Sequence, residues 1–262
     1  MKISDQKYDL SAYKYNYLYK RYLQRSPMDI LHMFDIYNLK DRVIWDLCCG
    51  ANMRATKDFL IDGAKFVYSI DNYEFDRKLR VIENGTILAE KLFKGKFHLV
   101  YNDGISQFLE DFQHFRKRDA IVKPSLIFCQ QGMSYIFNIN LIKDLLQCLS
   151  CPTENKPYGP SNIIFNMPKY SQEKREEMER SSLTKVYEID GERYIEVSWI
   201  RGSHFIDGKD VPILYHMQWC ESLGSHNTAF FYFNHEDICE SFDQNRIRFE
   251  MKEDENTVFF KI

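Results

Sequence analysis

The sequence lacks the features that mark exported, membrane-spanning or nucleic-acid-coating proteins. Its first residues are polar, and no apolar run approaches the roughly 18 residues needed to cross a bilayer. The formal net charge is −3, and Lys, Arg, Asp and Glu are mixed along the chain, so there is no broad basic face for long nucleic acid. We therefore expect a soluble, cytoplasmic protein with small or neutral partners.

The cysteines do not form the pattern of a disulfide framework. There are seven, an odd number, and they are scattered along the chain, which favours reduced thiols. Cys148 and Cys151 have the spacing of a zinc knuckle or a redox pair, but the only other candidate ligands, His235 with Cys239, lie far along the chain. Because the pair follows an apolar helical run, we interpret it as a helix end and predict no metal site.

The first two-thirds of the chain alternate between strand and helix patterns. With 262 residues and 44% hydrophobic content, the chain can bury an ample core as one domain. The alternation predicts an α/β fold with a doubly wound sheet. The predicted strands of this part cover 43–47, 65–70, 97–101, 125–129 and 162–166.

The pattern changes after Pro168. Strand-like segments joined by turns predict an antiparallel layer inserted after the fifth strand, and a helix from His235 with a hairpin at 246–262 closes the chain. We divide the single domain into an N-terminal helical lid (1–40), a cofactor-binding core (41–168), a substrate-side insertion (183–233), and a closing helix and hairpin (234–262).

The N-terminal part contains two predicted helices. The first has an aromatic stripe that includes Tyr19 and Tyr22; it is either core packing or a lid that brings phenols near a ligand. The second begins at Ser26-Pro27 with an N-cap serine and a proline at the first helical position. It is predicted to run to about Asn38, with Tyr37 facing inward.

Acidic and polar residues recur where the predicted parallel strands end. Asp46 and Gly50 belong to the first strand and its turn, and Asp71, Asp103 and Gln130 follow later strands. In an open α/β sheet, ligands bind beyond the carboxyl ends of the strands, where the strand order reverses. Asp71 lies 25 residues after Asp46 (71 − 46), which suits a carboxylate that binds a ribose. Each acid could also simply brace a loop or cap a helix.

These features together resemble the class I S-adenosylmethionine-dependent methyltransferases. The resemblance is carried by the segments at 46–52, 71, 102–104 and 129–135, in that order and at those spacings. It implies a Rossmann-like, mostly parallel seven-stranded sheet with a C-terminal antiparallel hairpin strand, and S-adenosyl-L-methionine as the cofactor, with S-adenosyl-L-homocysteine as the product. Cys48 and Ala51 occupy positions where this family often has glycine. The cofactor residues that the resemblance implies are Asp46, Cys48, Gly50, Asn52, Asp71, Asn72, Asp103, Gly104 and Gln130.

Two kinds of acceptor are compatible with this layout. The segment from Gln130 to Phe137, with Asn166-Met-Pro168 after the fifth strand, is similar to messenger-RNA cap guanine-N7 methyltransferases. Ser134, however, stands where those enzymes commonly have a histidine, and the positive field that capped RNA requires is missing. We therefore favour a small-molecule or peptide acceptor methylated on oxygen or nitrogen. A non-catalytic cofactor-binding scaffold remains the third hypothesis, whereas a nicotinamide dehydrogenase would need a Gly-x-Gly-x-x-Gly motif that is absent.

Methyl transfer is a direct in-line displacement, so the enzyme mainly has to orient the acceptor and exclude water. A general base is needed only if the acceptor holds a proton at neutral pH. His216, on a predicted strand of the insertion, is the first candidate, although a packing role is also compatible. Tyr135 is predicted to contribute to catalysis and to the acceptor site. The remaining predicted substrate-binding residues are Tyr19, Tyr22, His204, Tyr215 and Trp219.

Overall fold

The computed structural model of the chain describes residues 25–50, 53–71, 95–100, 104–115, 122–130, 132–150, 161–189, 191–221 and 224–262. Its helices are α1 (Pro27–Met33), α2 (Arg54–Ile61), α3 (Gly104–Phe115), α4 (Met133–Ile136), α5 (Ile139–Ser150), α6 (Gln172–Arg180) and α7 (His235–Gln244). Its strands are β1 (Val43–Leu47), β2 (Phe66–Ile70), β3 (Phe97–Val100), β4 (Leu126–Cys129), β5 (Asn162–Pro168), β6 (Leu183–Ile189), β7 (Glu192–Ile206), β8 (Lys209–Cys220), β9 (Gly224–Phe231), β10 (Glu250–Glu253) and β11 (Thr257–Lys261).

Seven strands form one sheet in the order β10-β11-β5-β4-β1-β2-β3. Strands β1 to β5 run parallel to one another, and β11 runs antiparallel to both β5 and β10. The predicted Rossmann-like fold with a C-terminal antiparallel hairpin strand is therefore confirmed. The chain forms β1, β2 and β3 in one direction and then returns to place β4 on the other side of β1, so the strand order reverses between β1 and β4.

The central strands are apolar on both faces because helices cover the sheet on both sides. Trp45 of β1 packs edge-on against Phe108 and Phe112 of α3, with ring centroids 4.8 and 4.9 Å apart. On the opposite face, Ile44 packs in a second cluster with residues of α1 and α2 such as Leu31 and Phe59. These two clusters hold the carboxyl edge of β1 in place.

Helix α1 begins as predicted but ends earlier. Ser26 accepts a hydrogen bond from the Asp29 backbone N–H at 3.0 Å, and Pro27 occupies the first turn. The predicted extension to Asn38 is wrong, because Asp35 adopts a positive φ of 59° that an α-helix cannot continue through. Tyr37 is 64% exposed rather than inward-facing.

The predicted antiparallel layer is a separate four-stranded sheet with the order β6-β7-β8-β9. Its long β7–β8 hairpin turns at Asp207-Gly208, where both residues have positive φ (50° and 83°), as a two-residue type I′ turn requires. The sequence predicts strands at 193–200 and 213–220, so this turn was missed: the first strand was ended too early and the second was begun too late. The Asp207 carboxylate accepts the Ile139 backbone N–H at 2.7 Å, which ties the hairpin to the start of α5.

No helix in the described ranges is long and apolar enough to cross a membrane. Among those residues, no group of three or more His, Cys, Asp or Glu side chains could hold a metal ion. Cys148 is buried in α5, and Cys151 lies outside the described ranges. The four-part division of the domain stays a prediction, and most of its N-terminal lid, including Tyr19 and Tyr22, is outside the description.

Candidate active site

The turn after β1 and the end of β2 are connected by hydrogen bonds. The Gly50 backbone N–H donates to the Asp71 carboxylate at 2.8 Å, and the Cys49 N–H donates to the Ile70 carbonyl at 3.2 Å. Cys48 and Gly50 both have positive φ, 53° and 65°, so the chain curls tightly where the strand ends. The turn and an acid are thus held together at the edge where the strand order reverses.

Asp46 lies inside β1 rather than in the turn and is only 1% exposed. Its carboxylate accepts a 2.6 Å hydrogen bond from the Thr56 hydroxyl of α2, which is also 2.6 Å from the Ser69 hydroxyl of β2. These bonds link β1, α2 and β2 below the turn. Asp46 therefore supports the geometry of the turn from within the sheet.

A close contact joins the β1 turn to the segment after β4. A Cβ atom added to Gly132 would lie 2.2 Å from the Cys48 Cβ and 2.9 Å from the Cys129 sulfur, so only glycine fits there. The hydrogen bond with Cys129, together with burial, raises the pKa of the Cys48 thiol. Cys48 is therefore a neutral thiol at neutral pH. Gly132 was not among the predicted site residues. A single glycine after a strand does not reveal that a distant residue, here Cys48, packs against it.

Gln130 lies at the end of β4 and donates a 3.0 Å hydrogen bond from its amide to the Arg25 carbonyl. The Arg25 guanidinium in turn pairs with Asp254 at 2.9 Å, in the turn between β10 and β11. Gln130 therefore connects the sheet edge where the strand order reverses (the switch point) to the segment before α1 and, through Arg25, to the closing hairpin.

A cavity of about 450 Å³ lies between this edge and the four-stranded sheet. Its volume falls within the usual range for small-molecule sites. The parallel sheet and closing hairpin form one side, and alternate residues of β6, β7 and β8 form the other. The lining residues central to the site are Arg25, Gln130, Tyr170, Lys185, Tyr187, Glu196, Ser198 and His216.

His216 lies on the cavity side of β8 and is mostly buried. Its Nδ1 is 2.9 Å from the Ser198 hydroxyl, on the paired position of β7. Burial lowers the pKa of His216 to about 4, with a further lowering from Lys185. The Glu196 carboxylate is 3.7 Å from Nε2, and a charge at that distance favours the protonated ring, whereas burial is the larger effect and favours the neutral one. The imidazole is therefore neutral at neutral pH.

The other predicted acceptor-side residues lie elsewhere. Tyr215 stacks on Trp199 at 5.7 Å on the sheet face opposite to His216, and Trp219 shares that face, since alternate residues of a strand point to opposite sides. His204 is exposed and stacks on Phe231 at 5.7 Å. These three residues are not part of the cavity lining.

Tyr135 lies on the short helix α4, beside the second sheet. Its ring packs against Phe230 of β9 with centroids 5.7 Å apart. Tyr135 thus connects the segment after β4 to the antiparallel sheet and is next to the cavity residues without being in the lining. Gly104 begins α3, whereas Tyr19, Tyr22, Asn52, Asn72 and Asp103 lie outside the described residues.

The sequence analysis missed several cavity residues, most notably Tyr170, Lys185, Tyr187, Glu196 and Ser198. The last four alternate on β6 and β7, and polar residues at alternate strand positions normally indicate a solvent face. Glu196 and Ser198 are nevertheless each only 6% exposed. One sequence signal could have indicated these residues. Polar side chains recur at alternate positions in an aromatic-rich part of the predicted substrate-side insertion.

Solved structures share this fold, although no protein-family model matches the chain and no curated protein matches it in sequence. The CcbJ methyltransferase from Streptomyces caelestis has a TM-score of 0.55 at 11% identity, covering 100% of this chain and 97% of its own. DesVI from Streptomyces venezuelae has a TM-score of 0.53 at 11% identity, covering 97% and 99%. The sugar N-methyltransferase KedS8 from a Streptoalloteichus species has a TM-score of 0.51 at 12% identity, covering 95% and 92%.

The fold of the chain is that of the class I S-adenosylmethionine-dependent methyltransferases. At identities of 11% and 12% it is the fold that the chain shares with these proteins. The similarity extends over nearly the whole length of this chain and of each solved structure. It therefore includes the second sheet and the closing hairpin as well as the parallel core.

Proposed function

We propose that the chain is an S-adenosyl-L-methionine-dependent methyltransferase that modifies a nitrogen or oxygen atom of a small-molecule or peptide acceptor. The observation that carries this proposal is the bond between Gly50 and Asp71 at the switch point, next to a cavity that begins at Gln130. Carboxyl ends of strands at a switch point are where this type of sheet binds nucleotides. We propose a cytoplasmic location, which suits the six free cysteines of the described ranges.

The residues present fit the cofactor. The carboxylate of Asp71 suits a ribose, and the tightly curled backbone from Cys48 to Gly50 suits the amino-acid part. Asp46 would act by supporting this turn, and Gln130 would border both cofactor and acceptor. Asn52, Asn72, Asp103 and Gly104 complete the proposed set from the sequence. When bound, S-adenosyl-L-methionine supplies a methyl group activated by a sulfonium.

On the acceptor side, the chain has to orient a ligand and keep water out. The Arg25–Asp254 pair and the Gln130 side chain line the cavity and are connected to each other through Arg25. We propose that neutral His216, held by Ser198, receives or orients an acceptor proton, and that Tyr135 borders the acceptor. We retain His204, Tyr215, Trp219, Tyr19 and Tyr22 only as candidates for contacts outside the cavity lining.

The cavity also bears on the alternatives. Its lining has three acids, Glu196, Asp254 and Glu255, and two basic residues, Arg25 and Lys185, so it lacks the positive field that the triphosphate of a capped RNA requires. A non-catalytic scaffold would be expected to have lost the acceptor space, whereas this cavity is about 450 Å³. Both observations favour a methyltransferase with a small acceptor.

Calorimetric titration with S-adenosylhomocysteine tests the proposal. Wild-type protein and an Asp144→Ala control, which changes an exposed acid on α5, should bind it. Asp71→Ala should weaken binding by about 10- to 100-fold, the effect of losing hydrogen bonds to a charged group. Absent binding to the wild type, or unchanged binding after Asp71→Ala, would refute the cofactor assignment.

Labelled cofactor then tests the acceptor. Turnover is expected with members of a small-molecule and peptide panel and not with cap analogues. Turnover of cap analogues alone would refute the preference for a small acceptor, and binding of cofactor without turnover of any acceptor would support the scaffold.

A further inference from the structure

We propose that Cys48 and Cys129 are a redox-sensitive pair, which a small-molecule disulfide oxidises to a disulfide bond that weakens cofactor binding. Both residues are free thiols in the reduced chain. Cys48 lies in the turn after β1, and Cys129 is the last residue of β4. The effect on cofactor binding rests on the proposed function, because it treats this turn as part of the cofactor site. Formation of the bond does not depend on it.

The two sulfur atoms adjoin the same point. A Cβ atom built on Gly132 would lie 2.6 Å from the Cys48 sulfur and 2.9 Å from the Cys129 sulfur. The sulfurs are therefore at most 5.5 Å apart (2.6 + 2.9), and a hydrogen bond connects the two thiols. Because position 132 is a glycine, it contributes no side-chain atom that would separate them.

The backbone positions of the pair suit a disulfide. Strands β1 and β4 are parallel neighbours with Asp46 opposite Phe128, so Cys48 lies one residue beyond the position opposite Cys129. Neighbouring strands are about 4.8 Å apart and successive residues about 3.3 Å, which places the two Cα atoms about 6 Å apart. Disulfides usually join Cα atoms about 4.4 to 6.8 Å apart. The pair can therefore be bridged without moving either strand far.

The difference in exposure gives each cysteine its role. Cys48 is partly exposed at the turn, whereas Cys129 is 0% exposed. The Cys48 thiolate attacks the small disulfide, releases one small thiol and forms a mixed disulfide. Cys129 then loses its proton and attacks the Cys48 sulfur, which releases the second small thiol. The two cysteines together lose two electrons and two protons, and the two small thiols take them up.

The reduced pair is the resting state. The hydrogen bond with Cys129, burial, and the charges of Asp71 and Cys49 raise the pKa of the Cys48 thiol. Since the thiolate is the form that attacks a disulfide, exchange is slow at neutral pH. It should become about tenfold faster with each pH unit as long as the pH stays below that pKa.

The bond acts on the turn that is proposed to hold the cofactor. Gly50 follows Cys48 by two residues and donates its 2.8 Å hydrogen bond to Asp71. An S–S bond of about 2.05 Å is much shorter than a hydrogen bond between thiols, so its formation draws Cys48 toward β4. Cys48 and Gly50 belong to one tight turn with positive φ at both residues, so the shift reaches the bond to Asp71. We expect oxidation to weaken S-adenosylhomocysteine binding about tenfold or more, as for the loss of a hydrogen bond to a charged group.

The test treats the full chain with oxidised glutathione at mildly alkaline pH and locates disulfides by mass spectrometry of unreduced peptides. The expected product is a cross-link between Cys48 and Cys129 that a thiol reductant reverses. In Cys129→Ser the reaction should stop at the mixed disulfide of Cys48 with glutathione. Cys239→Ser removes another partly exposed thiol, on α7; this matched control should form the cross-link as the wild type does.

Calorimetry on the treated and untreated samples measures the effect on cofactor binding. The cross-linked wild type should bind S-adenosylhomocysteine more weakly than the reduced wild type, whereas Cys48→Ser should have the same affinity before and after treatment. No cross-link in the wild type, a Cys48–Cys49 bond in its place, or equal binding by the cross-linked and reduced forms would overturn the inference. The two proposals fail separately: absence of binding by the reduced wild type refutes the proposed function, and the peptide masses alone decide whether the bond forms.

Discussion

The two sides of the candidate site are built in different ways. On the cofactor side, the positions that matter are where strands end and where the backbone turns, as at Gly50 and Asp71. On the acceptor side, the site is a set of side chains on one face of an antiparallel sheet, such as Glu196 and His216. The first depends on chain geometry that many sequences can satisfy, and the second depends on which side chains face inward. Substitutions should therefore act through backbone packing on one side and through charge on the other.

The largest expected effect is on the cofactor side, at Gly132. Gly132→Ala would place a Cβ atom 2.2 Å from the Cys48 Cβ, so the turn after β1 must shift. We expect a loss of about 3 kcal/mol or more in the free energy of unfolding, the upper range for overpacking. Denaturant unfolding measures it.

A second variant makes this prediction specific. In Cys48→Gly/Gly132→Ala the two closest clashing atoms, the Cβ and sulfur of Cys48, are removed, and only the Cys129 sulfur at 2.9 Å remains close. Glycine also tolerates the positive φ of 53° at position 48. The double variant should therefore be more stable than Gly132→Ala. If the two substitutions were merely additive, the close contact would not be the cause.

On the acceptor side, the corresponding effect depends on pH and involves His216. Its pKa is lowered to about 4 in the folded chain, against about 6.5 when unfolded. Between these values the unfolded state binds the proton and the folded state does not, so stability is lost as pH falls from about 6.5 to 4, by about 3 kcal/mol. His216→Asn, which can still bond to Ser198, should reduce this loss.

The measurement is denaturant unfolding of both proteins from pH 7.5 to pH 4. The difference between wild type and variant should change across this window and level off above it. An equal dependence on pH in the two proteins would show that His216 is not the group responsible.

A smaller effect is expected for the support below the turn. Thr56→Val keeps the shape of the side chain but removes the 2.6 Å hydrogen bond to Asp46. Removing a hydrogen bond to a buried carboxylate should cost about 2 kcal/mol. The loss should appear in chemical unfolding at neutral pH, and Thr184→Val on an exposed position of β6 should cost much less.

The smallest effect is expected at the Arg25–Asp254 pair, which lines the cavity. The Arg25–Asp254 pair is partly exposed, with 47% and 27% of the side chains accessible, so Arg25→Gln should cost less than about 1 kcal/mol, and less still at high salt. Acceptor binding is the more sensitive measurement, because Arg25 also borders the cavity. A large, salt-independent loss of stability would contradict the assignment of this pair to the surface.

Much of the cofactor side could be predicted from the sequence. Val43–Leu47 is an apolar run that ends in a turn, and Asp71 follows a second run, so their positions at one edge follow from the parallel pairing alone. Helix ends were less predictable: α1 ends at Met33, two residues before Asp35 takes a positive φ, and no glycine or proline marks this end in the sequence. The Gly132–Cys48 contact was also hidden, because it joins segments 84 residues apart (132 − 48).

The acceptor side shows the limit more clearly. The aromatic residues Tyr215 and Trp219 were chosen for their chemistry, yet they share the face of β8 opposite to His216. The long β7–β8 hairpin has a register shift between Ile200 and Ser203, so the inward face cannot be followed through the hairpin by counting residues.

By itself, the sequence determined the order of strands and helices, the turn after β1 and the acid after β2, because local hydrophobic pattern and strand-end polarity control them. Only the tertiary structure decided that Glu196, Ser198 and His216 form one wall with Gln130 opposite. That decision depends on how two sheets pack against each other, and packing between segments far apart in the chain leaves no local pattern in the sequence.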